Sequence, residues 1–453
     1  MKKIITTSAF TLLSIICIAQ TNPAITSWLR NTTNIMGRHY VSGNSTSIND
    51  NVSANVQMVQ YSDSSVYITT HGIPAYITGP FLDGNPSFAS DQKAIFKFPI
   101  NPTKNMGKPT NTTGGNIGIF INGVALFDYR DGVSWKSSTN ALCGGPIKPQ
   151  CMGDNVWNRD AIPAEKKGFD CSKGHPAMGN YHHHQNPSAF KLDLKVISTI
   201  CNLYDADGLY VIDSAKHSPL IGFAYDGFPI YGAYAYKNVD GSGGIVRMKS
   251  SFSLRNITTR TTYSDGSTVT AGPDVNATYP LGYFREDYQY NTTTASDYLD
   301  DHNGRFCVTP EYPNGIYCYF ATVDSNWNSA YPYVVGPTFY GPKVVAKVTS
   351  ITENVTTYSP TNAGVSDKQI KEIDISIFPN PTNDLVAIQM NDITKENIDI
   401  ALYDIAGKLI QKTILYQGST IAYFDTQTLY QGDYIVKISN AHSNITKKIT
   451  VIK

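Results

Sequence analysis

The chain has 453 residues, enough at roughly 150 residues per domain for about three folding units. Lys+Arg and Asp+Glu number 36 each, so the formal net charge is zero, and charged residues make up only 16% of the chain. This balance excludes a nucleic-acid-binding protein, which needs a basic surplus, and 41% hydrophobic residues argue against a disordered chain. The 30 Tyr, 35 Gly and 24 Pro favour strands joined by many turns, and hence an all-β fold.

Residues 1–19 have the pattern of a cleaved secretory signal. Two lysines follow Met1, an apolar run extends from about Ala9 to Ile18, and small residues precede the expected cleavage point. A lipoprotein anchor on Cys17 is the alternative, although Ile16 stands where such a signal has a small residue. Because no later segment reaches about 18 consecutive apolar residues, we expect an exported protein without a transmembrane segment.

The next two regions differ in composition. Residues 20–115 alternate strand-like runs, such as Asn55–Tyr61 and Val66–Thr70, with Gly, Asn and Pro turns. We expect this N-terminal β-rich segment to pack on the following domain. Residues 116–347 are richest in Cys, His and Trp, and we predict that they form a central β-rich domain.

An even set of cysteines remains once the signal with Cys17 is removed, and in an exported chain this predicts up to three disulfides. We expect Cys143 to pair with Cys151 across a Gly/Pro loop, Cys307 with Cys318 across a hairpin, and Cys171 with Cys201 by elimination. The alternative for the third pair is that its thiolates bind a metal ion.

Four of the 9 histidines fall between His175 and His184. Residues two apart on a strand share a face, so His182 and His184 can direct both imidazoles at one ion while His183 points the other way. Gly179-Asn180 is a turn signal that would fold the chain back and bring His175 to the same point. Three converging imidazoles are a ligand set for zinc or copper, although a surface histidine cluster is the alternative.

The same segment resembles the YHYH-domain family. Tyr181, His182 and His184 match three of the four named positions, Gly174-His175-Pro176 matches an upstream element, and His183 stands where the motif has its second Tyr. Further matches occur in order between residues 116 and 336: Asn122-Gly123-Val124, Ser134-Trp135, His217-Ser218-Pro219, Asp226-Gly227-Phe228-Pro229, Asn303-Gly304-Arg305-Phe306, Thr309-Pro310-Glu311 and Pro332-Tyr333-Val334-Val335-Gly336. The resemblance names a family and implies no particular reaction.

Other residues near these motifs are further candidates. His183 and His217 are additional possible metal ligands, although His217 equally suits a hydrogen bond to a loop. Asp226 precedes a glycine and fits an Asx turn, or it orients a ligand imidazole from the second shell. We also place Tyr181 in that second shell.

The remaining two segments are a predicted linker and an appended domain. Residues 348–372 are rich in Thr, Ser, Asn and Pro without periodicity, which predicts a linker. Residues 373–453 contain evenly spaced alternating strands, which predicts a small β-sandwich. Four motifs occur there in order: Phe378-Pro379-Asn380-Pro381, Leu402-Tyr403-Asp404 with Gly407-Lys408, Gly432-Asp433-Tyr434-Ile435-Val436, and Lys447-Lys448-Ile449.

These motifs resemble the type IX secretion C-terminal sorting domain. The resemblance implies that the type IX secretion machinery recognises residues 373–453 and that the protein reaches the extracellular space or the outer cell surface. A carbohydrate-binding or adhesive module is the alternative for the same residues.

Three hypotheses for function follow from the sequence. The first is a secreted or cell-surface metal-binding protein that holds zinc or copper through His175, His182 and His184. The second is a metal-dependent extracellular hydrolase or oxidoreductase, in which an open coordination position activates water or dioxygen. The third is a non-catalytic adhesion or polymer-binding protein. No nucleic-acid partner is expected in any of them.

Overall fold

The computed structural model describes residues 22–44, 46–81, 87–145, 148–188, 209–210, 212–359, 375–390, 398–405, 407–416, 419–439 and 444–453. Within these ranges the fold is mostly β, which confirms the all-β prediction, and the two α-helices are short: α1 (Pro23–Thr26) and α2 (Ala161–Glu165). Residues 20–359 form one compact unit, and residues 360–453 belong to the other. The predicted signal, residues 1–19, lies outside the described residues. No helix among those described is long and apolar enough to cross a membrane.

The first unit consists of short strands joined by turns. In chain order they are β1 (Met36–His39), β2 (Ile48–Ser53), β3 (Val56–Tyr61), β4 (Ser65–Thr70), β5 (Ala94–Pro99), β6 (Thr110–Asn111), β7 (Asn116–Phe120), β8 (Ala125–Phe127), β9 (Arg130–Lys136), β10 (Ala141–Gly144), β11 (Asn158–Asp160), β12 (His175–Ala177), β13 (Asn180–His183), β14 (Leu220–Ala224), β15 (Pro229–Tyr231), β16 (Tyr234–Tyr236), β17 (Ile245–Arg247), β18 (Phe252–Leu254), β19 (Tyr288–Tyr290), β20 (Gly304–Cys307), β21 (Ile316–Phe320), β22 (Thr338–Phe339), β23 (Ala346–Val348) and β24 (Thr356–Thr357).

Two sheets of this unit share one hydrophobic core. The larger has eight strands in the order β12-β13-β8-β7-β14-β15-β21-β20, and the smaller has five in the order β23-β5-β4-β3-β24. Along β5, buried and partly exposed residues alternate, so Phe96 and Phe98 face the core. The Trp28 ring contacts both Phe98 and Phe223, at centroid distances of 5.5 and 5.2 Å. Residues from the N-terminal segment and the central region therefore pack together.

Part of the predicted linker is folded. β23 pairs with β5, and β24 pairs with β3, so residues up to 359 belong to the first unit. The expectation of a linker starting at residue 348 is therefore corrected, because β-branched threonines there complete a sheet edge. Residues 360–372 of the predicted linker lie outside the described residues.

The second unit has two sheets with a separate core. Its strands are β25 (Ile375–Phe378), β26 (Leu385–Met390), β27 (Ile398–Asp404), β28 (Leu409–Leu415), β29 (Ile421–Asp425), β30 (Gly432–Ser439) and β31 (Asn444–Val451). They form the sheets β25-β26-β29 and β28-β27-β30-β31. Alternate residues of β26 and β30, including Ile388 and Val436, are buried in one cluster.

The cysteines follow the predicted pairing only in part. Cys143 and Cys151 form the predicted disulfide. Cys307 and Cys318 are instead buried free thiols, so that predicted pair is wrong. The register of β20 and β21 places Cys307 opposite Ile316 and Cys318 opposite Arg305, so the two cysteines are diagonal neighbours rather than a directly opposed pair.

Of the third predicted pair, the structure describes only Cys171. Cys171 is disulfide-bonded. Cys201, its predicted partner, lies outside the described residues.

Candidate metal centre

Two of the predicted ligands face each other across the edge hairpin of the eight-stranded sheet. β12 and β13 are antiparallel, and their register places His175 opposite His182. The turn between them has Met178 and Gly179 at φ angles of 48° and 84°, the left-handed conformation of a tight hairpin turn. The turn was predicted one residue later, at Gly179-Asn180, but it folds the chain back as expected.

His184 follows β13 and lies on the same side as His182, as the two-residue period of a strand predicts. The Nε2 atoms of these two residues are 3.0 Å apart. One nitrogen from each of His175, His182 and His184 lies within 4.8 Å of the others, and all three residues are buried. The structure therefore brings together the three residues predicted as ligands.

A fourth donor, which the sequence analysis did not identify, comes from helix α2. Oε2 of Glu165 lies 3.3 Å from Nε2 of His175 and 3.2 Å from Nε2 of His184. The Asp160 side chain begins the helix by accepting a hydrogen bond from the Ile162 N–H at 2.9 Å. The Glu165 side chain is 18% exposed, against 7% and 3% for His175 and His184.

The spacing of these atoms fits a single ion. Zinc–nitrogen and zinc–oxygen bonds of about 2.0–2.1 Å in a tetrahedron separate the donor atoms by roughly 3.3 Å. Three of the six donor–donor separations, 3.0, 3.2 and 3.3 Å, lie near this value, and the three histidine nitrogens lie within 4.8 Å of one another. Three imidazoles and one carboxylate therefore form a four-donor cluster that matches a small divalent ion.

Backbone carbonyls fix the tautomers of two of these histidines. Nδ1 of His182 lies 2.9 Å from the carbonyl oxygen of Asn180, and Nδ1 of His184 lies 2.6 Å from that of Asp128. A carbonyl oxygen can only accept, so each Nδ1 carries a hydrogen, and in the neutral ring Nε2 then presents a lone pair toward the cluster. This is the arrangement that a metal-binding imidazole adopts.

The electrostatics of the cluster also favour bound positive charge. Burial, followed by the neighbouring imidazoles, lowers the pKa of His182 well below its usual value, so that ring is neutral. Burial alone would raise the pKa of Glu165, but contact with His175 and His184 holds it below its usual range. The cluster therefore contains one anionic carboxylate and at least one neutral imidazole.

A buried aspartate positions the loop before His175. The Asp170 carboxylate accepts hydrogen bonds from the Tyr181 hydroxyl at 2.8 Å and from the backbone N–H groups of Gly79 and Gly174. Tyr181, predicted in the second shell, therefore acts on the loop rather than on a ligand imidazole. Gly174 lies against it, since a Cβ there would be 2.5 Å from the Tyr181 hydroxyl oxygen.

His183 points away from the cluster, as the strand period predicts. Its Nδ1 donates to the carbonyl of Lys173 at 3.1 Å, and its Nε2 lies 2.7 Å from the Tyr76 hydroxyl. Burial lowers its pKa to about 3. Both ring nitrogens are occupied, so the alternative role of His183 as a ligand is corrected.

His217 is also outside the cluster. Its Nδ1 donates to the Ser218 carbonyl at 2.7 Å, and its ring packs on Tyr231 and Tyr236. Of the two roles considered, the structure favours the hydrogen bond to the loop over metal binding. Tyr231, on which the ring packs, belongs to β15. In the eight-stranded sheet four strands, β13, β8, β7 and β14, lie between β15 and β12, the strand of His175.

Asp226 adopts the Asx turn considered from the sequence. Oδ1 accepts from the Phe228 N–H at 3.2 Å, and Oδ2 accepts from the Tyr319 hydroxyl at 2.5 Å and the Gly341 N–H at 2.9 Å. Its alternative role in orienting a ligand imidazole is corrected, because these contacts tie the β14–β15 turn to other strands. The groups that contact Nδ1 of His182 and His184 are instead the carbonyls of Asn180 and Asp128.

Comparison with known families gives two matches. The family described as YHYH protein matches residues 95–332, and the secretion system C-terminal sorting domain matches residues 376–453. No curated protein matches the chain. The YHYH match covers more than half of the chain and includes the histidine hairpin and Glu165. The sorting domain shows that the protein is exported to the extracellular space or the cell surface. The chain therefore belongs to the YHYH protein family and has a C-terminal secretion sorting domain.

Proposed function

We propose that the first unit of this exported protein binds one transition metal ion, zinc or copper, through His175, His182, His184 and Glu165. The observation that carries the proposal is the 3.0 Å approach of the Nε2 atoms of the buried residues His182 and His184. In neutral rings that carry their hydrogen on Nδ1, both atoms are acceptors, and they repel each other at this distance unless they share a cation.

A proton is the simplest competitor for that position. One proton on Nε2 of His184 can be shared with only one of His182 and Glu165. A metal ion binds all four at once, and the separations near 3.3 Å suit such an ion.

The donor set selects the class of ion. Imidazole nitrogens suit zinc and copper, whereas calcium and magnesium prefer oxygen ligands. Four protein donors complete a tetrahedron, which is typical of a closed site that holds its ion rather than presenting it to a substrate. The protein would then sequester the ion or use it to stabilise the hairpin at the sheet edge.

A catalytic site is the second candidate, because Glu165 is more exposed than His175 and His184. If Glu165 leaves the fourth position, three imidazoles remain, and the carboxylate lies where it can take a proton from bound water. The ion would lower the pKa of that water. The same four residues thus support either function, depending on whether Glu165 stays bound.

Metal analysis of the full chain, purified without a histidine tag, tests the proposal. We expect about one zinc or copper ion per chain. His182→Ala should remove it, while His217→Ala, a partly buried control outside the cluster, should retain it. Substoichiometric metal in the wild type, or equal metal in both variants, would contradict the proposal.

Chelation then separates the two functions. Unfolding of the first unit on metal removal indicates that the ion stabilises the fold, whereas retention of the fold indicates a site for sequestration, transport or catalysis. Tryptophan fluorescence follows this unit selectively, because Trp28, Trp135, Trp157 and Trp327 all lie within residues 20–359.

A further inference from the structure

A cleft of about 360 Å³ opens on the first unit, and none of the four proposed metal ligands lines it. Aromatic rings and two arginines share its lining with asparagine and serine side chains. The six side chains that carry the argument are Phe252, Tyr288, Tyr290, Tyr331, Arg130 and Arg285. This volume is in the range of a small-molecule site.

The aromatic side chains form a continuous wall. Tyr288 and Tyr331 are stacked, with centroids 3.8 Å apart and an interplanar angle of 2°. Phe252 contacts Tyr331 on one side and Tyr290 on the other, each at 5.6 Å. The Tyr290 side chain is 37% exposed at the end of this wall. Flat aromatic faces carry partial negative charge and stack well against the C–H faces of sugar rings.

Arg285 supplies a positive charge with unused hydrogen-bonding capacity. Its side chain is 14% exposed, its Nε lies 3.5 Å from Glu286 and its guanidinium packs over the Tyr129 ring at 5.2 Å. Among the described residues these are its closest polar and ring contacts, and the guanidinium has five N–H donors. A planar fork of this kind suits a carboxylate.

The other charges of the cleft offset this one only in part. Arg130 is neutralised by Asp128, whose two oxygens lie 2.6 and 3.1 Å from Nε and Nη2. Burial raises the pKa of Glu286 to about 7, against the opposing effect of Arg285, so this carboxyl is only partly ionised at neutral pH. The cleft therefore keeps an excess of positive charge next to an aromatic wall.

We propose that this cleft binds an acidic sugar, a uronic acid residue of a polysaccharide, with its ring on the tyrosine wall and its carboxylate on Arg285. The remaining polar groups of the lining, such as Asn111 and Ser264, suit the sugar hydroxyls. A polyphosphate ligand fits less well, since it has no ring face that could stack on the tyrosine wall. The proposal does not depend on the metal, because the cleft shares no ligand with the histidine cluster.

Calorimetric titration of the full chain with trigalacturonate and with its uncharged counterpart galactotriose tests this inference. We expect trigalacturonate to bind at least tenfold more tightly and its affinity to fall with salt. Tyr290→Ala should weaken binding at least fivefold. Tyr298→Ala is the matched control, since its side chain is 38% exposed, in the same unit, and outside the cleft lining, so binding should not change.

Arg285→Lys keeps the charge but removes the fork, and it should also weaken binding of trigalacturonate without affecting galactotriose. If this buried substitution prevents folding, the comparison of Tyr290→Ala with Tyr298→Ala still tests the proposed site. Absence of binding, equal affinity for the two trisaccharides, or equal losses in Tyr290→Ala and Tyr298→Ala would overturn the proposal. Each of these outcomes is independent of metal content, which is measured on the same preparation.

Discussion

Replacing Glu165 by Gln tests the four-donor cluster most directly. Glutamine keeps the size of the side chain but removes the anionic oxygen that lies 3.2 and 3.3 Å from two imidazole nitrogens. Loss of a group that only orients a ligand already weakens metal binding by about 10–100-fold, so loss of a direct donor should cost at least as much. This corresponds to about 1.4–2.7 kcal/mol of binding free energy.

The same loss has a consequence for stability. At a free metal concentration of about 100 times the wild-type Kd, binding stabilises the fold by about 2.7 kcal/mol. If the variant binds 100-fold more weakly, the same concentration equals its Kd, and the stabilisation falls to about 0.4 kcal/mol. The metal-dependent part of the unfolding free energy should therefore almost disappear in Glu165→Gln.

Two measurements check this expectation. Competition with a chromophoric chelator gives the Kd, and chemical denaturation followed by tryptophan fluorescence gives the unfolding free energy with and without metal. Glu286→Gln is the control, because its side chain is similarly buried, 13% exposed against 18%, and it does not contact the histidines. A Kd of Glu165→Gln within twofold of the wild type, or an equal loss in the control, would refute the four-donor cluster.

Two further predictions concern the parts that position this cluster. Gly174→Ala should lower the unfolding free energy by about 1–3 kcal/mol, because a Cβ there would be 2.5 Å from the Tyr181 hydroxyl oxygen. The control is Gly114→Ala, where the Cβ meets open space, and it should leave the unfolding free energy from chemical denaturation nearly unchanged. Burial raises the pKa of Asp160 to about 8. Its contribution to stability is therefore complete below about pH 4 and is lost as pH rises through 8, at up to about 1.4 kcal/mol per pH unit. Asp160→Asn should lose less stability than the wild type between pH 5 and 8 in chemical denaturation, and parallel pH profiles would show this account to be wrong.

The sequence predicted the positions of the cluster histidines correctly, because they depend only on the backbone geometry of one hairpin. The two-residue period of a strand placed His182 and His184 on one side and His183 on the other, and the glycine turn brought His175 opposite His182. These relations involve residues within one hairpin. They depend on backbone geometry that short sequence patterns encode.

The remaining parts of the site depend on contacts between distant segments. Glu165 reaches the cluster because it lies on α2, whose N-cap is Asp160. This capping residue was a signal in the sequence that could have revealed the short helix. Strand order removed His217 from the cluster, although it lies in a motif of the same family. A register offset of two residues separated Cys307 from Cys318. Sheet order and register are set by packing across the whole unit, which short patterns do not specify.

The closeness of the ligands along the chain bears on how the site assembles during folding. All four donors lie between residues 165 and 184, so bringing them together closes only short loops at a low entropic cost. The Asp128 carbonyl that fixes the His184 tautomer is 56 residues away and arrives only when β8 pairs with β13. On the proposed function, the hairpin and helix would contact the ion first, and the affinity would rise when β8 pairs with β13 and the Asp128 carbonyl reaches His184.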